Sequence, residues 1–391
     1  MSTILLGLTA KSVVNGEVSL CQHHLWTFIN VSFEPSQGPY GALNKYAALM
    51  LERSRNSPVK VIKLHEERGL VEDIALLDLL IKHRHRWQCL EITVWDDPTL
   101  LMRIKGPLSN LRELFVDGVD IIDLPPPVEA FEDAPSLEDV TVEGFSISTL
   151  LLPLHQLRHL AASFWSLRQE WVSLQGAVQL VTLEISSAVR DFLEDPPSVI
   201  NLPQVERLSI VAFRSNILQY FLLPSLTSLE ITDADDFDVP FGPLLCDFFS
   251  RSNCQLESLT LEQAPKMSDQ ELLSVLIAQP TLRELTLTAI GEPYTAVFPC
   301  QDPDSPDSFL PRLTTLHLSC VSVNPPDFLD FLEARCGAVD GGMSFTRLHE
   351  VVLKDVAFEP LMSSSDRERF RKLIAEEKLV ADMMPIFSPY V

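Results

Sequence analysis

Eleven short segments of this chain carry the same order of apolar residues, apolar-x-x-apolar-x-apolar, and this recurrence limits the possible folds more than any other feature. The copies centre on Leu90, Leu114, Val140, Leu160, Leu183, Leu208, Leu229, Leu259, Leu285, Leu316 and Val351, at spacings of 20 to 35 residues. Typical copies read LSNLRELFV, LPSLTSLEI and QPTLRELTL, often with a proline just ahead. Leucine accounts for 62 of 391 residues, an excess that the repeat explains. Within each copy the last apolar-x-apolar step has period two, which predicts a short strand with one buried face. The leading apolar residue then covers the turn into that strand. A unit of this size cannot bury its apolar face alone, so neighbouring units must stack.

A period in the twenties with L-x-x-L-x-L is the leucine-rich repeat signature. It predicts an α/β fold: a curved solenoid with a parallel sheet on the concave face and helices or irregular segments on the convex face. Several return segments have helical spacing. Val71–Lys82 is one, and Leu43, Tyr46, Ala47, Met50 and Leu51 mark another. Ser268–Glu271 has the capping-box pattern ahead of Leu272, Leu273, Leu276 and Ile277, and Pro325–Arg335 starts on proline. The proline-rich return Asp120–Ala134 predicts an irregular connection. Gly291–Phe309 and Cys336–Phe345 read as surface loops. The pattern is expected to stop after Leu353. A second capping box, Ser365–Glu368, then opens an amphipathic helix with Phe370, Leu373, Ile374 and Val380. The expected organisation is an N-terminal segment over 1–24, the solenoid over 25–360, and a capping helix and tail over 361–391. Many such repeats carry an asparagine or cysteine ladder after the strand. Here those positions hold Ala188, Phe213, Ala234, Ala264, Ile290 and Val321, so the turns must be satisfied by backbone or water.

Charge and cysteine usage exclude function classes. With 30 basic and 54 acidic side chains the net charge is −24, against the requirement of nucleic acids and anionic membranes for Lys and Arg. Seven cysteines, an odd number without a CxxC, suggest reduced thiols and a cytoplasmic or nuclear location. Met1–Ala10 lacks the basic region of a signal peptide, and no apolar run reaches membrane-spanning length.

Catalytic spacing is missing: there is no G-x-S-x-G, P-loop, GxGxxG or HExxH. His83, His85 and Cys89 have zinc-like residue types. However, Lys82, Arg84 and Arg86 place that stretch at a helix C-terminus, where cations suit the dipole. His23 and His24 beside Cys21 carry no stronger signal, and the acidic run Asp233–Asp238 lacks the glycine and terminal glutamate of a calcium loop. Neither a catalytic residue, a metal nor a cofactor is expected.

The stronger candidate is a surface. Residues flanking the strand leucines point to the concave face, and there the chain places Glu91, Glu113, Asp117, Asp139, Glu143, Glu184, Glu230, Glu262, Glu284 and Glu350. Basic residues at such positions are Arg207 and Lys354, with His159 and His317 also present. Ten acids against two bases exceeds the 54 to 30 of the whole chain. Such a surface suits a basic protein or peptide partner. Phe115, Phe213 and Trp95 are candidate apolar anchors.

The segment Leu259–Leu272 (LTLEQAPKMSDQEL) resembles the cysteine-containing repeat of F-box leucine-rich proteins, with Ala264 in place of the cysteine. The N-terminal stretch His24–Phe33 followed by Leu51–Val61 (LERSRNSPVKV), and the ending Phe370–Leu373, resemble the basidiomycete fungal F-box families. The resemblance covers residues 24–380 and implies the substrate-recognition part of a ubiquitin-ligase receptor. The F-box itself, which would dock a Skp-type adaptor, is not recognisable: the 25 residues before Trp26 contain no proline. A Skp-type adaptor is therefore an expected partner only if an F-box is supplied elsewhere. The alternative is a stand-alone scaffold or pseudo-receptor without a ligase connection.

Overall fold

The computed structural model describes residues 27–30, 41–65, 71–95, 98–119, 127–164, 167–187, 198–211, 217–232, 240–263, 267–289, 298, 309–336, 346–358, 361–375 and 380–382. Fourteen strands form one sheet, adjacent in chain order and parallel throughout. They are β1 (Phe28–Asn30), β2 (Val59–His65), β3 (Trp87–Trp95), β4 (Glu113–Val119), β5 (Asp139–Glu143), β6 (His159–Phe164) and β7 (Thr182–Ser187). The sheet continues with β8 (Arg207–Val211), β9 (Ser228–Thr232), β10 (Ser258–Glu262), β11 (Glu284–Thr288), β12 (Thr315–Ser319), β13 (Glu350–Lys354) and β14 (Val380–Asp382). The eleven sequence repeats supply β3 to β13. β1 and β2 precede them, and β14 pairs with β13 where the pattern was expected to have stopped. This is the leucine-rich repeat solenoid, with the parallel sheet as its inner face.

The register explains why the repeat folds this way. The central residues from Leu90 to Val351 lie opposite one another in a continuous row. The apolar residue two positions later forms a parallel row, from Ile92 to Leu353. Members of both rows are at most 4% exposed. The leading residues, such as Leu111, Leu137, Leu180 and Leu313, are fully buried, and each of these closes a three-residue turn into its strand; Leu256, equally buried, donates its N–H to Gln279 Oε1 at 2.8 Å instead. Burying such a side chain contributes about 1.5–3 kcal/mol, and stacking the repeats recovers this in every unit.

The connections carry seven helices among the described residues: α1 (Gly41–Ser54), α2 (Val71–Ile81), α3 (Leu167–Leu174), α4 (Phe241–Ser252), α5 (Asp269–Ile277), α6 (Pro325–Cys336) and α7 (Ser364–Ala375). α1 packs on α2, α4 on α5 and α6 on α7. Short 3-10 turns, among them Glu129–Phe131 and Leu154–Gln156, replace helices elsewhere. The Ser268–Glu271 capping box is complete, with side-chain and backbone bonds in both directions. Two helix expectations need correction. On α5, Leu272, Val275 and Leu276 are buried while Ile277 is 63% exposed, so the packed face is rotated from the one expected. On α7 the box is formed by Ser363 and Asp366, whose N–H donates to Ser363 Oγ at 3.1 Å, and not by Ser365 and Glu368. Val380 lies beyond that helix, in β14. Most of the two expected surface loops, the Asp233–Asp238 run and the segment before Thr27 lie outside the described residues.

Backbone does the work of the missing asparagine ladder. The residue after β10, β11, β12 and β13 (Gln263, Ala289, Cys320 and Asp355) is left-handed in each case, with φ of 47° to 51°. The first three donate their N–H to the last strand residue of the next repeat, Thr288, Ser319 and Lys354, at 2.8 to 3.0 Å. At the opposite end of the strands, a second backbone ladder runs from Gln88 to Thr314, each carbonyl accepting from the following repeat.

Two buried arginines tie repeats together. Arg86 donates to Ser57 O at 2.9 Å and to Ser54 Oγ. Arg335, at 0% exposure, donates to Leu310 O at 2.9 Å and Leu313 O at 2.7 Å. Burial lowers the Arg335 pKa to about 10, so it stays cationic at neutral pH.

Candidate recognition surface

In a strand, side chains alternate between faces, and parallel neighbours lie about 4.8 Å apart. The two apolar rows point inward, so three rows point outward: the residues before, between and after them. All ten acidic candidates lie in these outward rows, exposed or half-buried. Glu113, Asp139, Glu284 and Glu350 belong to the first row, Glu91, Glu184 and Glu230 to the second, and Asp117, Glu143 and Glu262 to the third.

They are unevenly distributed. Glu91, Glu113, Asp117, Asp139 and Glu143 crowd onto three adjacent strands, with Glu113 directly opposite Asp139 and Asp117 directly opposite Glu143. Burial pushes the Asp139 carboxyl above its usual range; His159 opposes that shift and Glu113 adds to it. Glu184 and Glu230 flank Ser209. Glu262 and Glu284 are on neighbouring strands, while Glu350 stands 3.3 Å from His317 Nε2.

The basic complement is larger than the sequence reading allowed. Lys60 of β2 enters the first row beside Cys89, because a register shift realigns β2 with β3. Arg207 turns its guanidinium to Thr182 Oγ1 at 3.0 Å. Where the strands begin, the exposed Arg112, Arg158 and Arg283 balance Glu138, Glu206 and Glu257 in number. The acidic excess therefore belongs to the face and not to its rim.

Phe115 is half-buried in the second row, Trp95 ends β3, and Phe213 lies outside the described residues. Between β5 and β8 the outward side chains shorten to Thr141, Ala161, Ser163, Ser186 and Ser209. This leaves a depression of about 140 Å³ bordered by Glu143, Glu184 and Val211. The hydroxyls of Ser163 and Ser186 are 2.9 Å apart. Sequence reading missed this hollow, although small residues at outward positions of four consecutive repeats were its signal.

The His83–Cys89 stretch is a helix end. Arg84 Nη1 donates to Ile81 O at 3.3 Å, Trp87 is fully buried, and burial together with Arg86 lowers the His83 pKa. Cys89 faces outward, and burial with the neighbouring Glu113 raises its thiol pKa to about 11, far from a thiolate nucleophile. Among the described residues no three His, Cys, Asp or Glu side chains group closely enough to hold a metal, and no helix is long and apolar enough to cross a membrane.

No family model matches the chain, and no curated protein does. Among solved structures it is similar to TLR13 in the crystal structure of a TLR13–ssRNA13 complex, at 11% identity and a TM-score of 0.43. That alignment covers 90% of this chain and 61% of TLR13, so the chain spans less than two thirds of that protein.

Proposed function

We propose that the chain is a non-enzymatic recognition module whose concave sheet binds a partner protein through a basic segment. One observation carries this reading: two carboxylates face one another across the β4–β5 ladder, at Glu113–Asp139. Like charges directly opposite in a sheet are destabilising. Neutral polar residues would serve the fold better at these positions, and a cationic partner relieves the repulsion. Steering and selectivity follow from the same field.

The finer reading follows the resemblance stated above: the recognition half of an F-box-type ubiquitin-ligase receptor, acting in cytoplasm or nucleus. The competing reading is a scaffold with no ligase connection. Affinity capture with the full chain separates them. Recovery of a Skp-type adaptor supports the receptor; its consistent absence beside other bound proteins supports the scaffold.

The surface is tested by reversing Glu184, Glu230 and Glu262 to Lys. Proteins held through the concave face should be lost from the capture, and wild-type binding should weaken as salt rises. Identical capture by both chains refutes the assignment of the face. Binding of single-stranded RNA by the wild-type chain at physiological salt would refute the exclusion of nucleic acid.

A further inference from the structure

We propose that the depression between β5 and β8 seats one arginine side chain of an extended basic segment of the partner; this rests on the protein-recognition reading above. The hollow of about 140 Å³ sits near the middle of the sheet, where the outward side chains are shortest. Its floor is Ala161, Ser163, Ser186 and Ser209, so a partner side chain reaches closer to the strands here than over the longer residues on either side. Glu143 and Glu184 stand at its border, two strands apart and in different outward rows. Neither forms an ion pair with a described residue, and Arg207, on the adjoining strand, is turned to Thr182 instead.

The chemistry of the lining selects among cations. Val211, 38% exposed at the edge, offers an apolar wall for an aliphatic stem. The hydroxyls of Ser163 and Ser186 bond to each other and retain lone pairs that accept further N–H groups. A guanidinium has five donors in a planar fork and is weakly hydrated, so it can address two separated carboxylates and a hydroxyl together. An ammonium is a compact charge that favours one carboxylate at a time. A partner segment lying along the groove presents alternate side chains to the sheet, so one arginine flanked by small residues fits.

The test is fluorescence anisotropy of the full chain with a labelled peptide in which two arginines stand in a glycine–serine background, beside its lysine and citrulline counterparts. The arginine peptide should bind about threefold more tightly than the lysine peptide and at least about tenfold more tightly than the citrulline one. The double variant Glu143→Gln, Glu184→Gln should lose about tenfold in affinity for the arginine peptide. Ser186→Leu, which fills the hollow without changing charge, should cost about as much, and Ala161→Leu supplies an independent filling variant. Circular dichroism should show all variants folded, since these side chains are outward. Equal affinity for arginine and lysine peptides, no effect of either filling variant, or no binding by any peptide overturns the proposal. If the filling variants bind normally while Glu184→Lys, Glu230→Lys, Glu262→Lys abolishes binding, the acidic face stands and the arginine seat falls. If the triple reversal is also silent, both fall.

Discussion

The two ends of the solenoid share an interior and differ in everything that faces water. In β3 to β5, five of nine outward positions are acidic and none is basic. In β10 to β13, three of twelve are acidic, and threonine, serine, His317, Val352 and Lys354 fill the others. The inward rows are equivalent and fully buried in both. The turns after the strands differ too. At the N-terminal end Gly118 and Gly144 meet so closely that a Cβ on Gly144, at φ 66°, would lie 1.7 Å from Gly118 O. At the C-terminal end the same position holds Gln263, Ala289, Cys320 and Asp355 in a left-handed conformation. One packing scheme therefore tolerates two turn chemistries and two surface potentials, because stacking depends on the apolar rows and the backbone ladders alone.

Substitutions can break or sharpen this contrast. The largest effect is expected at Gly144→Ala, where no neighbouring side chain can yield because the obstacle is backbone. A loss of about 3 kcal/mol or more should appear in chemical denaturation. Next is Arg335→Met, which leaves the carbonyl of Leu313 without its side-chain donor and that of Leu310 with the Leu313 N–H alone. A loss of about 2–3 kcal/mol, seen as a lower denaturation midpoint, should follow at the C-terminal end. Ala289→Gly should have the opposite sign: glycine adopts positive φ without penalty, so stability should rise by about 1 kcal/mol. If it does not, the two turn chemistries are not energetically distinct.

The smallest effect tests the surface potential. The Asp139 carboxyl is raised in the folded chain relative to the unfolded one. Its contribution to stability is therefore present at low pH and lost as pH rises through its own titration. Asp139→Asn should raise the melting temperature slightly at neutral pH and leave it unchanged near about pH 3. An equal gain at both values would show that the crowded carboxylates do not set the cost.

Reading the sequence succeeded where local pattern and burial coincide. The period-two steps placed the acidic candidates in the outward rows, and α2, α5 and α6 carried helical spacing or caps. It failed where long-range contacts decide. α4, in which no helical spacing was read, opens Phe-Gly-Pro, two of whose residues are poor helix formers. Gly242 is nonetheless buried in a helix, because a Cβ there would meet Glu271 Cβ of α5 at 2.5 Å. α3 is built around the buried Trp171 and Leu174, and Trp171 Nε1 donates to Ser198 O at 2.6 Å. Arg86 looked like a helix-end cation and proved to be a buried donor to Ser57 of the preceding repeat, and the buried role of Arg335 had no local signal.

Read alone, the sequence determined which residues turn inward and which outward, since alternation along a strand is a local property of extended backbone. It also determined the number of repeats between Leu90 and Val351, since each must cover its neighbour's apolar side. Only the tertiary structure decided which outward residues become neighbours. Register brings Glu113 against Asp139, draws Lys60 into line and aligns the short side chains of β5 to β8 over one hollow, because contacts between positions 20 or more residues apart depend on how the connections pack.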